Sequence, residues 1–88
     1  MKLVFSDLAW EQYHHWLAAD PKTFERLNDL IRECRRSPFK GRGKPERLRG
    51  DLSGWWSRRL TQDDRLVYRV SGKAPEQSLE IAQCRFHY

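Results

Sequence analysis

The amino-acid sequence predicts an α+β domain, with two N-terminal helices packed on one face of a largely antiparallel sheet of four to five strands. Two observations predict this class: apolar residues recur at helical spacing in the first half, and short alternating segments separated by turn residues fill the second half. The resulting order is β-α-α-β-β-β-β, which is typical of helices that cover one side of a sheet. With 88 residues, the chain is expected to form one domain, residues 1–88, around a single core.

The N-terminal segment predicts a strand followed by a helix. KLVFS is short and rich in β-forming residues, which favours a strand. Ser6 can cap a helix with its side-chain oxygen, and Asp7 would lie in the first turn. Apolar residues then recur three and four positions apart, so the buried stripe of this first helix is expected at Trp10, Tyr13 and Leu17.

The second helix is predicted between two proline-containing pairs. Asp20-Pro21 combines an N-cap residue with proline at the first helical position, and Ser37-Pro38 ends the helix. One apolar stripe lies between them, formed by Phe24, Leu27, Leu30, Ile31 and Cys34. The two helices are therefore expected to form a hairpin that lies on the sheet.

The sheet is predicted mainly from the C-terminal half. WWSRRL and RLVYRV are joined by the polar TQDD, and SLEIAQCRFHY is expected to form one long last strand. The loops FKGRGKPERL and SGKAPEQ connect the remaining segments. Alternation assigns Leu66, Tyr68, Val70 and Phe86 to the apolar face. The opposite face would carry basic side chains, with Arg59 across from Arg65 and with Arg85 and His87 beside them.

The net charge of +5 is concentrated in the middle of the chain. Residues 1–34 contain four Lys or Arg and six Asp or Glu, residues 35–70 contain eleven and four, and residues 71–88 contain two of each. A basic cluster of this kind is typical of proteins that bind polyanions, above all nucleic acids. Charge alone leaves open the alternative of a solvated basic surface without a partner.

Cysteine usage and hydropathy favour an ordinary cytoplasmic protein. Cys34 and Cys84 do not make a disulfide framework, and both are expected to be reduced and buried. No apolar stretch approaches the ~20 residues of a membrane span, and MKLVFS is too short for a signal peptide before charge resumes at Asp7. The expected location is therefore the cytoplasm.

The loop, the hairpin and the C-terminus together resemble a known family. RRSPFKGRGKPERL, LSGWWSRRLT, RLVYRV and the terminal CRFHY resemble, in order and spacing, the YoeB toxins of the wider RelE/ParE toxin superfamily. The match extends over nearly the whole chain. The departures are a longer loop at residues 71–77 and an arginine at position 49, where a family member can have lysine. The resemblance implies a compact fold like that of microbial ribonucleases.

The resemblance also implies a function, a partner and a set of site residues. YoeB toxins enter the ribosomal A site and cut the mRNA there, and a YefM-like antitoxin holds them inactive. By position, Glu46 would be the general base, His87 the general acid and Arg65 the group that stabilises transition-state charge. Four further residues would hold the phosphate backbone or orient the nucleotide: Lys44, Arg49, Arg59 and Tyr88. No cofactor or metal is implied, and whether the free toxin forms a homodimer stays open.

The chemistry of RNA cleavage needs residues of these types. The 2′-hydroxyl of RNA can attack the neighbouring phosphate without water or metal, provided that a base removes its proton and an acid protonates the departing 5′-oxygen. Arginines can meet the charge that builds on the phosphoryl oxygens. Two other hypotheses remain. A noncatalytic RNA- or DNA-binding module would leave Glu46 and His87 without a role, and a ParE-like toxin would share the fold without cutting RNA.

Overall fold

The chain folds as two helices packed on one face of a five-stranded sheet. The computed structural model describes residues 1–87, and its first three elements are β1 (Lys2–Phe5), α1 (Asp7–Ala19) and α2 (Pro21–Arg36). The later strands are β2 (Glu46–Arg47), β3 (Trp56–Arg59), β4 (Arg65–Ser71) and β5 (Ser78–Gln83), with a 3₁₀ turn at Gly50–Leu52. The predicted α+β class and the order of elements are confirmed.

The sheet is mixed, and its order is β1-β5-β4-β3-β2. Among residues 1–87, β1 and β5 pair in parallel and the other three pairs of strands are antiparallel. Arg59 lies across from Arg65, as predicted. The pairing of β4 with β5 reaches Ser71 and Ser78, so the two strands stay paired up to the longer loop at residues 71–77.

Both helices begin at the residues that the sequence indicates. The Ser6 side chain accepts a hydrogen bond from the amide of Ala9 at 3.0 Å. Asp20 caps α2 in the same way, because its carboxylate accepts from the amide and the hydroxyl of Thr23 at 3.2 and 2.8 Å. Within residues 1–87, neither helix is both long enough and apolar enough to cross a membrane.

The core lies between the helices and the sheet. The predicted apolar face of β4 is confirmed, since Leu66 and Tyr68 are fully buried and Val70 packs against them. Cys34 and Cys84 are free and buried, also as predicted. Burial raises the pKa of the Cys34 thiol to about 11 and that of Cys84 to about 12, so both stay protonated at neutral pH.

Of the predicted stripe of α1, Tyr13 packs against the core, but the other two residues do not form the buried face. Trp10 and Leu17 are 52% and 53% exposed, whereas Gln12 and Trp16 are buried. Apolar residues occur on more than one side of this helix, so their spacing alone did not identify the buried side. The Cys84 backbone identifies it instead, because its amide donates to the Gln12 side chain and its carbonyl accepts from Trp16.

The last strand ends earlier than predicted. β5 stops at Gln83, and the chain then bends. The pairing is irregular at this point, because Gln83 and Ile81 lie across from the consecutive residues Val67 and Tyr68. The alternation expected for the terminus is lost there. Phe86 is therefore 56% exposed, with a positive φ of 66°, and the prediction that it anchors the strand in the core was wrong.

The revised face of α1 is testable with two leucine substitutions. Leu17→Ala should change the free energy of unfolding by less than about 1 kcal/mol, because half of that side chain is already exposed. Leu30→Ala, at a fully buried position of α2, should cost about 2–5 kcal/mol. Urea denaturation measures both. If both variants lost the same free energy of unfolding, Leu17 would belong to the core and the revised face would be wrong.

Candidate active site

The sheet face away from the helices carries most of the predicted site. Glu46 on β2 lies across from Ser57 on β3, and Ser57 lies across from Val67 on β4. Residues directly opposite in antiparallel strands share one face of the sheet. Ser57 and Val67 are 3% and 2% exposed, whereas Glu46 is exposed. The buried side chains of Ser57 and Val67 therefore form the middle of this face, and the exposed Glu46 carboxylate lies at its edge.

Glu46 lies on a strand and not in the loop that the sequence predicted. A strand of two residues is too short to show alternation, which is why the sequence did not reveal it. Backbone hydrogen bonds extend its pairing on both sides, from Leu48 N to Trp55 O at 2.9 Å and from Arg59 N to Gly43 O at 2.6 Å. The backbone of Glu46 is therefore held along β3.

Arg59 and Arg65 form a pair of cations on the same face. They lie directly opposite each other, where Cβ atoms are about 4.5–5.5 Å apart, and Glu46 is a diagonal neighbour of Arg59 at roughly 7–8 Å. Like charges placed directly opposite each other destabilise a sheet. An anion bound between the two guanidinium groups would relieve that repulsion, so the pair fits a phosphate.

Backbone carbonyls of the β3–β4 hairpin hold the Arg65 side chain. Its Nη1 donates to the carbonyl oxygens of Thr61 and Asp64, both at 3.0 Å, and of Gln62 at 3.3 Å. Arg26 on α2 holds the other side of the hairpin by donating to the carbonyl of Arg59 at 3.0 Å. The hairpin that carries both arginines is therefore fixed from within and from the helix layer.

Backbone hydrogen bonds of Phe86 bring His87 to the Arg65 end of the sheet. The Phe86 amide donates to the Asp64 carboxylate at 2.6 Å, and the Arg65 amide donates to the Phe86 carbonyl at 3.0 Å. His87 follows directly and is exposed. Arg85, predicted to share the basic face, instead places its guanidinium 4.4 Å from the centre of the Phe86 ring. The chain bends after β5, and the bend turns the Arg85 side chain away from the predicted face.

The remaining predicted substrate-binding residues are Lys44, Arg49 and Tyr88. Lys44 is exposed, has a φ of 51°, which is uncommon for a residue other than glycine, and lies at the same end of β3 as Arg59. Arg49 lies at the other end of β3, where it precedes the 3₁₀ turn. Tyr88 lies outside the described residues. The structure thus places Lys44, Glu46, Arg59, Arg65 and His87 around one end of the sheet and sets Arg49 apart.

A buried arginine that the sequence reasoning missed holds the basic loop at residues 37–43. Arg58 is fully buried, and its guanidinium donates to the carbonyl oxygens of Ser37, Lys40 and Arg42 at 2.6, 2.8 and 3.2 Å. Alternation in WWSRRL contained the signal, because one of two consecutive arginines on a strand must point toward the helices.

Glu33 and Tyr68 complete the surroundings of Arg58. The Arg58 Nε donates to the Tyr68 hydroxyl at 3.2 Å, and its Nη1 lies 3.3 Å from a Glu33 carboxylate oxygen. The other Glu33 oxygen accepts from Arg42 Nε at 2.9 Å. Glycine fits position 41, because its φ of 119° disfavours other residues and a Cβ there would displace the Glu33 carboxylate. Among residues 1–87, no group of three or more His, Cys, Asp or Glu side chains is placed to hold a metal ion.

Comparison with known proteins identifies the family. The model of the YoeB-like toxins of bacterial type II toxin–antitoxin systems matches residues 5–88. The chain belongs to this family. Toxin YoeB of Escherichia coli K12 is 48% identical to this YoeB-like toxin over 88 residues, which cover 100% of each chain.

Solved structures agree with this assignment. A YoeB/ParE toxin from Agrobacterium tumefaciens superposes with a TM-score of 0.95 at 53% identity, covering 100% of both chains. The toxin in a heterotetrameric YoeB–YefM complex from Staphylococcus aureus superposes with a TM-score of 0.87 at 35% identity, covering 100% of this chain and 98% of that one. The fold of this YoeB-like toxin is thus the fold of the family.

The network around Glu33 predicts a defined acid sensitivity. Hydrogen bonds from Arg42 hold the pKa of Glu33 at about 2, below its ordinary value of 4.5. The ionised carboxylate therefore stabilises the fold fully above pH 4.5, and this contribution is lost as the pH falls toward 2. Glu33→Gln should melt at a lower temperature than the wild type near neutral pH, and the difference should shrink through this window.

Thermal unfolding between about pH 6 and pH 2 measures this difference. Asp29→Asn is the matched control, because Asp29 pairs with the exposed Arg32 on the same helix. Its melting temperature should follow that of the wild type. A gap between the wild type and Glu33→Gln that stays constant down to the acid limit would contradict the assignment.

Proposed function

We propose that this YoeB-like toxin is a ribosome-dependent mRNA endonuclease that cuts mRNA in the ribosomal A site. The observation that supports this most is the pair Arg59 and Arg65, with Glu46 on one side of it and His87 on the other. A phosphate seated on the two arginines would have a carboxylate and an imidazole within reach of its two ends. A site that only binds nucleic acid needs the cations but neither of these groups.

The proposed reaction is an internal transesterification. Glu46 removes the proton of the substrate 2′-hydroxyl, and the 2′-oxygen attacks the adjacent phosphorus. The bond to the 5′-oxygen of the next nucleotide breaks, and His87 protonates that oxygen. Arg65 and Arg59 stabilise the negative charge on the phosphoryl oxygens during the attack. The products are a 2′,3′-cyclic phosphate and a 5′-hydroxyl, and neither water nor a metal ion takes part in this step.

Residues around the central pair would hold the RNA in place. Lys40, Arg42 and Lys44 are exposed in or beside the loop that leads into β2. Lysine and arginine in this position can pair with backbone phosphates of mRNA or of ribosomal RNA. Arg49 and Tyr88 are proposed as further contacts to the nucleotide. A toxin that acts on ribosomes would be located in the cytoplasm.

A YefM-like antitoxin is the proposed inhibitor. The Staphylococcus aureus relative forms a heterotetramer with YefM. The excess of positive charge at residues 35–70 would attract an acidic segment that folds on this surface and covers Arg59 and Arg65. Inhibition would then consist of occupying the phosphate site.

The acid–base roles predict large losses of activity with little change in stability. Glu46→Gln and His87→Gln should each slow mRNA cleavage on translating ribosomes by ~10²–10⁴-fold, the usual contribution of one general acid or base. Both side chains are exposed, so the melting temperature should stay near that of the wild type. Mapping of mRNA ends measures cleavage, and thermal unfolding measures stability.

Exposed residues of the helices offer matched controls for these two variants. Glu25→Gln and His14→Gln make the same chemical changes at exposed positions of α2 and α1 and should cleave like the wild type. Wild-type rates in Glu46→Gln and His87→Gln would reject the acid–base assignment. Growth arrest without any mRNA cleavage would instead favour the noncleaving, ParE-like alternative.

The identity of the nucleophile predicts the behaviour of a modified substrate. An mRNA with 2′-deoxyribose on the 5′ side of the cleavage position should bind with the toxin on the ribosome but remain uncut, because only the attacking oxygen is missing. Unmodified mRNA should yield a 2′,3′-cyclic phosphate or the 3′-phosphate to which it hydrolyses. A 3′-hydroxyl product would show that activated water, and not the ribose, attacks the phosphate.

A further inference from the structure

The backbone of Cys84 is held by a helix and not by a neighbouring strand. Its amide donates to the side-chain oxygen of Gln12 at 2.7 Å, and its carbonyl accepts from the indole nitrogen of Trp16 at 2.8 Å. Both side chains come from α1. Together they satisfy the two backbone groups of the first residue after β5. We call this pair of contacts, Gln12 and Trp16 on Cys84, the α1 clamp.

A glutamine buried on the core side of a helix is unusual, because its polar amide is removed from water. Gln12 is 7% exposed in a face otherwise formed by Ala9 and Trp16. Burying an amide is unfavourable unless its hydrogen bonds are made, and an apolar residue would fill the same space without that cost. The hydrogen bond to Cys84 compensates for the burial. It also fixes where the chain leaves the sheet.

The α1 clamp is one of two anchors on the path to the C-terminus. The second anchor is at Phe86, whose amide and carbonyl bond to Asp64 and Arg65. Between the anchors the chain turns sharply, with a φ of 66° at Phe86. His87 therefore follows two fixed points, one on the helix layer and one on the arginine-bearing hairpin. Two residues lie between Cys84 and His87, so loss of the first anchor would leave the contacts of Phe86 alone to position the imidazole.

We propose that Gln12 is a positioning residue for His87. It contacts neither the proposed substrate nor the imidazole, and it acts by holding Cys84 so that the terminus turns toward Arg65. Trp16 supports it through the carbonyl of the same residue. This proposal rests on the proposed cleavage function and adds to it that a helix outside the site sets the orientation of the general acid.

Substitutions at Gln12 separate positioning from general stability. Gln12→Met keeps the length of the side chain and removes the hydrogen-bond acceptor, whereas Gln12→Glu keeps an acceptor oxygen. Cleavage rates should be measured over a range of ribosome concentrations up to saturation, at a temperature where every variant is folded. Gln12→Met should lower kcat by about 10- to 100-fold with little change in KM, because a displacement of about 1 Å at a catalytic group has that effect. Gln12→Glu should cleave near the wild-type rate.

A double-mutant cycle then shows whether the effect passes through the general acid. Gln12→Met should lower the rate much less in the His87→Gln background, where no imidazole remains to be positioned. In the Glu46→Gln background it should lower the rate by its full factor, because the imidazole is still present. Equal factors in all three backgrounds would overturn the proposal, since a loss of general integrity affects each of them alike.

The test distinguishes a failure of this proposal from a failure of the proposed function. If the wild type does not cut mRNA on ribosomes, the function itself is wrong. If the wild type cuts, His87→Gln is slow and Gln12→Met is as fast as the wild type, the α1 clamp is refuted alone. Should Gln12→Met not fold, Trp16→Phe replaces it, because it keeps most of the ring and removes the donor to Cys84. Trp16→Phe is then expected to lower the cleavage rate in each of the three backgrounds by the factor given for Gln12→Met, and the absence of this pattern refutes the proposal.

Discussion

The hydrogen bonding of one buried guanidinium is the constraint on which the arrangement of the site depends. A fully buried cation persists only when its donors are paired, and Arg58 finds its partners in the Glu33 carboxylate, the Tyr68 hydroxyl and carbonyls of the loop at residues 37–43. These groups belong to α2, to β4 and to the loop. Pairing one side chain therefore ties the helix layer, the sheet and the basic loop together. The loop continues into β2, and so the same network sets the position of Glu46.

The two faces of the sheet separate the buried hydrogen-bond network from the proposed site. Arg58 and Arg59 are adjacent on β3, and one enters the buried network while the other is exposed beside Arg65. On the core side, hydrogen bonds and an ion pair within the protein offset the cost of burying the Arg58 charge. On the outer side, Arg59 and Arg65 are held together by the backbone although their charges repel. The fold thus supplies the rigidity, and a bound polyanion would supply the missing counter-charge.

The segment after β5 carries the proposed general acid, His87. A group in that role must be held within a fraction of an ångström. Here the chain is fixed at Cys84 by α1 and at Phe86 by the hairpin. The exposed Phe86 ring and the Arg85 stacked on it lie outside the core, so the terminus depends on hydrogen bonds and not on burial. A site of this kind can lose activity through small shifts that leave the melting temperature unchanged.

The sequence by itself determined the elements whose causes are local. The α+β class, the caps at Ser6 and Asp20, the stripe of α2 and the register of Arg59 against Arg65 follow from spacing, capping and turn length, which act within a few residues. The resemblance to the YoeB toxins named the candidate site residues, and the structure placed five of them around one end of the sheet. Only the tertiary structure decided the buried side of α1, the early end of β5, the strand at Glu46 and the networks of Arg58 and Gln12. Each of these depends on a partner far away in the chain. A buried donor or acceptor must be paired, and the fold decides which distant residue pairs with it. The spacing of residues along the sequence does not indicate that partner.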